Sequence, residues 1–130
     1  MNITIEKFKR FEKQIIIKKI GIIGQKKILA SNVLVIGVGG LGCPLITYLA
    51  ASGIGKIGIV DFDKVELSNL NRQSLFEIND IGKFKVDRAK NKIIKINKNI
   101  QITAFRKKLN SKNIHNIFKK FDIICDGSDN

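Results

Sequence analysis

The chain has 130 residues, 44% of them hydrophobic and 27% charged, enough for one domain with a real core and no need of a second. Its formal charge of +13 raises nucleic acid and membrane surfaces as partners. Lysine greatly outnumbers arginine, however, and the excess is spread along the chain beside abundant Ile and Asn, as AT-rich coding bias produces. Solvated surface lysines are the expectation, with nucleic acid an unlikely partner and no membrane association. The apolar runs are short and broken by Lys, Gly or Asn, against about 20 residues needed to cross a bilayer, and the N-terminus lacks a signal-peptide apolar region. A cytoplasmic protein is expected. Cys43 and Cys125 lack metal-ligand spacing and read as buried free thiols.

Residues 1–32 read as an N-terminal helical arm. A charged helical turn runs from Glu6 to Lys13, then a β-branched run from Ile15 to Ile17; Gly21 and Gly24 punctuate it, and residues 24–31 form one short helix. Residues 33–130 read as a Rossmann-like half-domain. Val33 to Gly37 is apolar throughout, as a strand buried on both faces must be. A helix begins near Leu41, with Pro44 in its first turn, where a missing N–H costs nothing, and with Leu45 and Leu49 on its buried face. Gly53 and Gly55 end it. A second strand, Ile57 to Phe62, precedes a long polar connection, of a length that is usually functional within a compact domain. Residues 80–82 lead into a helix from about Lys83 to Asn97, packed through Val86, Ala89, Ile93 and Ile96. Ile100 to Phe105 is a third strand. Ser111 caps a helix carrying Ile114, Ile117 and Phe118, and residues 121–126 are a fourth strand.

The chemistry centres on Val33 to Asp61, which reads as strand, glycine turn, helix and strand. Gly37, Gly39 and Gly42 fill the three glycine positions of GxGxxG, and Gly40 adds a fourth. The free N–H groups and dipole of the following helix make a place for a phosphate. Asp61 follows Gly42 by 19 residues, about where this motif puts a carboxylate for ribose hydroxyls. A nucleotide-binding unit is the reading, with a purely structural turn as the alternative.

Four pieces then recur in order: Lys13-Gln14-Ile15 with Gly24-Gln25-Lys26, the turn from Gly37 to Cys43, the segment from Asp61 to Gln73, and Asp129-Asn130. On these the chain resembles the ThiF/MoeB/HesA family, bacterial relatives of ubiquitin-activating enzymes, over essentially its whole length. The resemblance implies an α/β, mostly parallel Rossmann-like sheet with flanking helices. It also implies ATP-dependent adenylation of the C-terminal glycine of a ubiquitin-like sulfur carrier of ThiS or MoaD type, towards thiamine or molybdopterin. By the same resemblance, Gly40 lies against the nucleotide, Asp61 holds the ribose, Asn69 and Arg72 reach the phosphates, Lys85 is the second phosphate cation, and Asp129 binds Mg²⁺. Ser68 and Asn130 fall within the same nucleotide-binding motifs. Arg72 and Lys85 alternatively read as surface charges, and Asp61 or Asp63 as the start of a turn. His115 is assigned no role.

The chain departs from the family pattern in two ways. The family's RYxRQ motif, whose second arginine enters the neighbouring subunit's active site, is here Arg10-Phe11-Glu12-Lys13-Gln14. Lys13 keeps the charge and loses the bidentate fork. The family pattern also continues past Asn130 with further strands, zinc-binding CxxC pairs and the carrier-binding surface, so a chain truncated after about the fourth strand is expected. A homodimer, or pairing with a C-terminal half, would complete it. A non-catalytic nucleotide-binding subunit is the alternative function. An NAD-dependent oxidoreductase is a weaker one, since hydride transfer gives no reason for Arg72, Lys85 and Asp129 to surround a triphosphate and metal.

Overall fold

Val33, Leu34 and Val35 are buried in succession, which a strand allows only when both its faces are covered. They belong to β1 (Asn32–Ile36) of a sheet completed by β2 (Lys56–Val60), β3 (Gln101–Phe105) and β4 (Ile123–Asp126) in the computed structural model, which describes residues 2–129. The order is β3-β2-β1-β4 and every pairing is parallel. Val33 lies opposite Ile57 on one side and Ile123 on the other.

Alternate strand residues feed two cores. Val33, Val35, Ile57 and Ile59 pack beneath α3 (Gly42–Ser52) and α4 (Lys85–Ile96). Leu34 and Val60 face the other way, with Ile117 of α5 (Ile114–Phe118) and the rings of Phe118 and Phe121. The α4 spacing is as expected: Val86, Ala89 and Ile93 are buried, with Ile96 half-buried. The helix starts at Lys85 rather than Lys83. Gly82 and Lys83 are taken up by a turn in which Gly82 donates to the Val65 carbonyl at 2.8 Å and Val65 donates to that of Lys83 at 2.9 Å. In α3 the buried residues are Gly42, Cys43, Ile46 and Ala50, and Leu45 and Leu49 are half-buried beside them.

The arm comprises α1 (Ile5–Ile15) and α2 (Gly21–Ala30). Its second helix begins at Gly21, so Gly24 lies inside it rather than at its start; Gly24 donates to the Ile20 carbonyl at 2.7 Å in regular helical fashion. A helical glycine costs about 1 kcal/mol. Gln25 offsets this, because its fully buried amide and that of Gln14 each donate to the Ser52 carbonyl at 3.0 Å, fastening the arm to the end of α3.

Two further expectations need correction. Ser111 does not cap α5, because asparagines close the preceding turn: Asn110 Oδ1 accepts the N–H groups of Lys112 and Asn113, and Asn113 Oδ1 accepts that of Asn110. Cys43 is buried, but Cys125 is only half-buried, since β4 is an edge strand. Among the described residues no helix is long and apolar enough to cross a membrane.

Candidate functional site

The path from β1 leads to β2 and β3 on one side of the sheet, while β4 returns to the other side of β1. Open α/β sheets bind ligands in the crevice at the carboxyl ends of the strands, where the order reverses in this way. A cavity of about 970 Å³ opens there, lined by Ile36 and Gly37 at the end of β1, Val60 and Asp61 at the end of β2, and Asp126 to Asp129 at the end of β4. That is the upper end of the usual range for a small-molecule site, about 300–1,000 Å³.

Gly37, Gly39 and Gly40 line the floor, and at Gly37 no other residue fits. Gly37 has φ +87°, and a β-carbon on it would lie 3.0 Å from the Ser128 nitrogen. A β-carbon on Gly42 would lie 1.9 Å from the Gly37 carbonyl oxygen, so Gly42 is the packing glycine and stands behind the cavity wall. The start of α3 has no side-chain cap, but its first turn keeps few donors for a ligand, since the Cys43 N–H donates to the Gly39 carbonyl at 3.0 Å and Pro44 has no N–H. Asp61 holds the turn in place: Oδ2 accepts the Val38 N–H at 2.8 Å and Oδ1 that of Asp63 at 2.9 Å.

The polar connection after β2 is ordered by two 3-10 turns. In Leu67–Asn69, Asn69 Oδ1 accepts the Glu66 N–H at 2.9 Å; in Ile78–Asp80, Asp80 Oδ2 accepts that of Glu77 at 2.9 Å. Each side chain closes its own turn in a reciprocal capping box. Between the turns, Arg72 lays its stem over the glycine floor, with Cγ, Cδ and Nε each 3.6 Å from where a Gly40 β-carbon would sit. Its Nη1 donates to the Ser68 carbonyl at 3.2 Å and to Asn71 Oδ1 at 3.1 Å. Lys85 opens α4 and lines the cavity, its backbone N–H donating to the Asp63 carbonyl at 3.0 Å. Only 6% of Lys85 is exposed, and among the described residues no carboxylate lies within ion-pair distance of it or of Arg72.

Burial pushes the nearby Cys43 thiol above its ordinary value, against the opposing pull of the Leu75 backbone and the Lys85 ammonium. It is a packed thiol. Asp126 is held below the ordinary carboxylate value by the Ser128 hydroxyl and N–H, at 2.5 and 2.9 Å from Oδ1.

The cavity therefore brings together Gly37, Gly39, Gly40 and Asp61 with Asn69, Arg72, Lys85 and Asp129. Ser68 and Lys13 do not line it: Ser68 offers its carbonyl to Arg72 from behind, and Lys13 is exposed on α1. Asn130 lies outside the described residues. The cavity also gathers residues that received no role from sequence: Gln73, Asp126, Lys107 and Lys108. Gln73 stands inside the motif that carried the family resemblance, but its burial has no one-dimensional signal.

Fold and cavity define a Rossmann-type α/β domain with its ligand cleft at the switch point of a parallel sheet. The chain belongs to the ThiF family, whose family model matches residues 11–130. Over 127 residues it is 46% identical to a probable molybdopterin-synthase adenylyltransferase of Porphyra purpurea, an alignment that covers 98% of this chain and 33% of that protein. E. coli tRNA N6-threonylcarbamoyladenosine dehydratase TcdA, solved in complex with ATP, shares the fold at a TM-score of 0.91 and 24% identity, covering all of this chain and 53% of that one. E. coli MccB, solved with ATP, is 35% identical at a TM-score of 0.69, over 72% of this chain and 28% of that one. The chain spans about a third of the length of the curated relatives it matches.

Proposed function

We propose that this chain is the nucleotide-binding part of a cytoplasmic, ATP-dependent adenylyltransferase acting on the C-terminal glycine of a ubiquitin-like sulfur carrier of ThiS or MoaD type. The observation that carries this reading is Lys85, a lysine only 6% exposed that has no carboxylate to pair with, in the cavity that also holds Arg72. A buried cation without a counter-ion is costly unless a ligand supplies the anion. Two cations beside the glycine turn suit a triphosphate, whereas hydride transfer has no use for them. The adenylyltransferase name of the Porphyra relative and the ATP of MccB support the same nucleotide, and the former favours molybdopterin over thiamine as the pathway.

In the reaction proposed, an oxygen of the carrier's terminal carboxylate bonds to the α-phosphorus of ATP, the bond from that phosphorus to the β-phosphate oxygen breaks, and pyrophosphate leaves. The carboxylate is already ionised at neutral pH and needs no general base. What remains for the protein is positioning and charge neutralisation. Asp61, fixed by two backbone donors, keeps lone pairs free for ribose hydroxyls. Asn69 spends Oδ1 on its turn and so offers its NH₂ to phosphate. Arg72, midway along the connection that follows β2, and Lys85, at its far end, are the two cations for the phosphates.

Asp126 and Asp129 line the cavity, and one or two carboxylates beside substrate phosphates are what Mg²⁺ ordinarily takes. Asp129 would hold that ion, whose contribution is further neutralisation of phosphate charge. A structural zinc takes four protein ligands, and no group of three or more His, Cys, Asp or Glu is assembled among the described residues. Lys13, outside its own cavity, is assigned to the cavity of a second subunit in a homodimer.

Calorimetric titration with Mg-ATP and with NAD tests the nucleotide assignment, and tighter NAD binding overturns it. Pyrophosphate exchange into ATP, with a MoaD-type carrier, tests the reaction. The chain alone is expected to be inactive, and the chain supplemented with the C-terminal part of a full-length relative is expected to exchange. Nucleotide binding without exchange in either mixture would favour the non-catalytic subunit.

A further inference from the structure

Gln73 is 3% exposed, lines the nucleotide cavity, and makes no side-chain hydrogen bond to any described residue. Among the described residues its Oε1 is the one buried side-chain oxygen or nitrogen without a partner. Buried polar side chains almost always find partners, and an exception calls for a physical reason. Gln25, also buried, shows the contrast: its Oε1 accepts from Gln14 Nε2 at 2.7 Å and its Nε2 donates to the Ser52 carbonyl at 3.0 Å.

The backbone around Gln73 is firmly set, its N–H donating to the Asn69 carbonyl at 2.9 Å and its carbonyl accepting from Phe76 at 3.1 Å. Its amide is therefore not adrift on a loose loop. Nε2 lies 3.8 Å from where a Gly39 β-carbon would stand, just as the preceding Arg72 lies against Gly40. Two consecutive side chains thus cover two consecutive glycines. Nε2 stands beside the glycine turn, whose Gly39 and Gly40 line the same cavity.

We propose that Gln73 is a phosphate-binding residue of this cavity, its Nε2–H donating to an anionic oxygen of the nucleotide held over Gly39. This rests on the nucleotide reading given above and extends it to a residue outside the roles of Arg72, Lys85 and Asn69. An amide suits the position because it adds a donor without adding a third cation. The bound phosphate gives the Nε2 donor a partner, while Oε1, an acceptor like the phosphate oxygens, stays unpaired with or without the ligand.

Gln73→Leu and Gln73→Glu, with wild type, test the proposal by thermal melt and by calorimetry with Mg-ATP and adenosine. Gln73→Leu removes both the donor and the unpaired oxygen while keeping bulk, so its melting midpoint should equal or exceed that of wild type. Its affinity for Mg-ATP should fall about tenfold, equivalent to about 1.4 kcal/mol, with adenosine unaffected. Gln73→Glu should lose more, because a carboxylate then faces phosphate. Wild-type affinity for Mg-ATP in Gln73→Leu, or equal losses for Mg-ATP and adenosine, overturns the phosphate role. A lowered midpoint in Gln73→Leu assigns the amide to the fold instead and also overturns it. Failure of wild type itself to bind Mg-ATP removes the underlying nucleotide reading, an outcome distinct from these.

Discussion

The Asp61 carboxylate accepts the Val38 N–H at 2.8 Å, tying the end of β2 to the turn that follows β1. Its other oxygen holds the Asp63 N–H, so one side chain shapes both the floor of the cavity and the start of the long connection. Asp61→Ala frees both donors and should cost about 1–3 kcal/mol of stability, read as a lower thermal midpoint, together with weaker nucleotide binding. Asp61→Asn retains one acceptor and should fall between the two. A wild-type midpoint in Asp61→Ala would show that the turn holds itself without the carboxylate.

Lys85 and Arg72 should separate in how they affect folding. Lys85→Met replaces a largely buried lysine that has no carboxylate partner with an apolar side chain of similar length, so the chain should melt at or above the wild-type temperature while Mg-ATP affinity falls at least tenfold. Arg72 is exposed and has no carboxylate partner, so Arg72→Ala should leave the melt nearly unchanged and weaken ATP more than AMP. Equal losses for ATP and AMP would take Arg72 away from the outer phosphates. A melt lowered by Lys85→Met would mean that its ammonium is satisfied in the free protein.

Much of this architecture is legible in one dimension, and the exceptions share a cause. The apolar run of β1, the Gly37 to Gly42 turn and the α4 spacing at Val86, Ala89 and Ile93 depend on local pattern, and the structure has all three. Gly24 and Ser111 mislead because helix starts are decided by competing local hydrogen bonds, here those of Ile20 and of Asn110 with Asn113. The long connection carries no periodicity, because its order comes from two capping boxes rather than from a packed face. Burial of Gln73 and Lys85 is set by three elements meeting at the switch point, and no window of sequence contains all three.

Asp80 gives the fold a pH dependence. Its carboxylate is fully buried between the second 3-10 turn and α4, bonded to Arg88 at 2.5 Å with Lys92 nearby. Burial raises its pKa, but the Glu77 N–H, Arg88 and Lys92 together outweigh burial and hold it below the ordinary 3.8. A folded value below the unfolded one means that the stabilisation is complete above the unfolded value, about 3.9, and is lost as pH falls through the folded value. Acid unfolding should therefore steepen below about pH 4. Asp80→Asn should flatten that limb and lower stability at neutral pH by about 1–3 kcal/mol. Parallel acid limbs for the two proteins would assign the loss to other carboxylates.

β4 is the last prediction's subject, because its outer side has no strand beside it among the described residues. Ile123 and Ile124 are 50% and 37% exposed there, an apolar edge carrying unpaired backbone groups. Edges of this kind recruit a further strand unless charge, proline or a bulge blocks them, and the strand from Ile123 to Asp126 places its one charge only at its end. The isolated chain should consequently self-associate as its concentration rises, which a light-scattering series will show as increasing mass. Ile123→Lys puts a charge at the opposite end of the strand from the cavity-lining Asp126, so it should shift the series towards monomer and leave Mg-ATP affinity unchanged. A wild-type chain that stays monomeric across the series, with a cooperative melt, would show that this edge is protected as it stands.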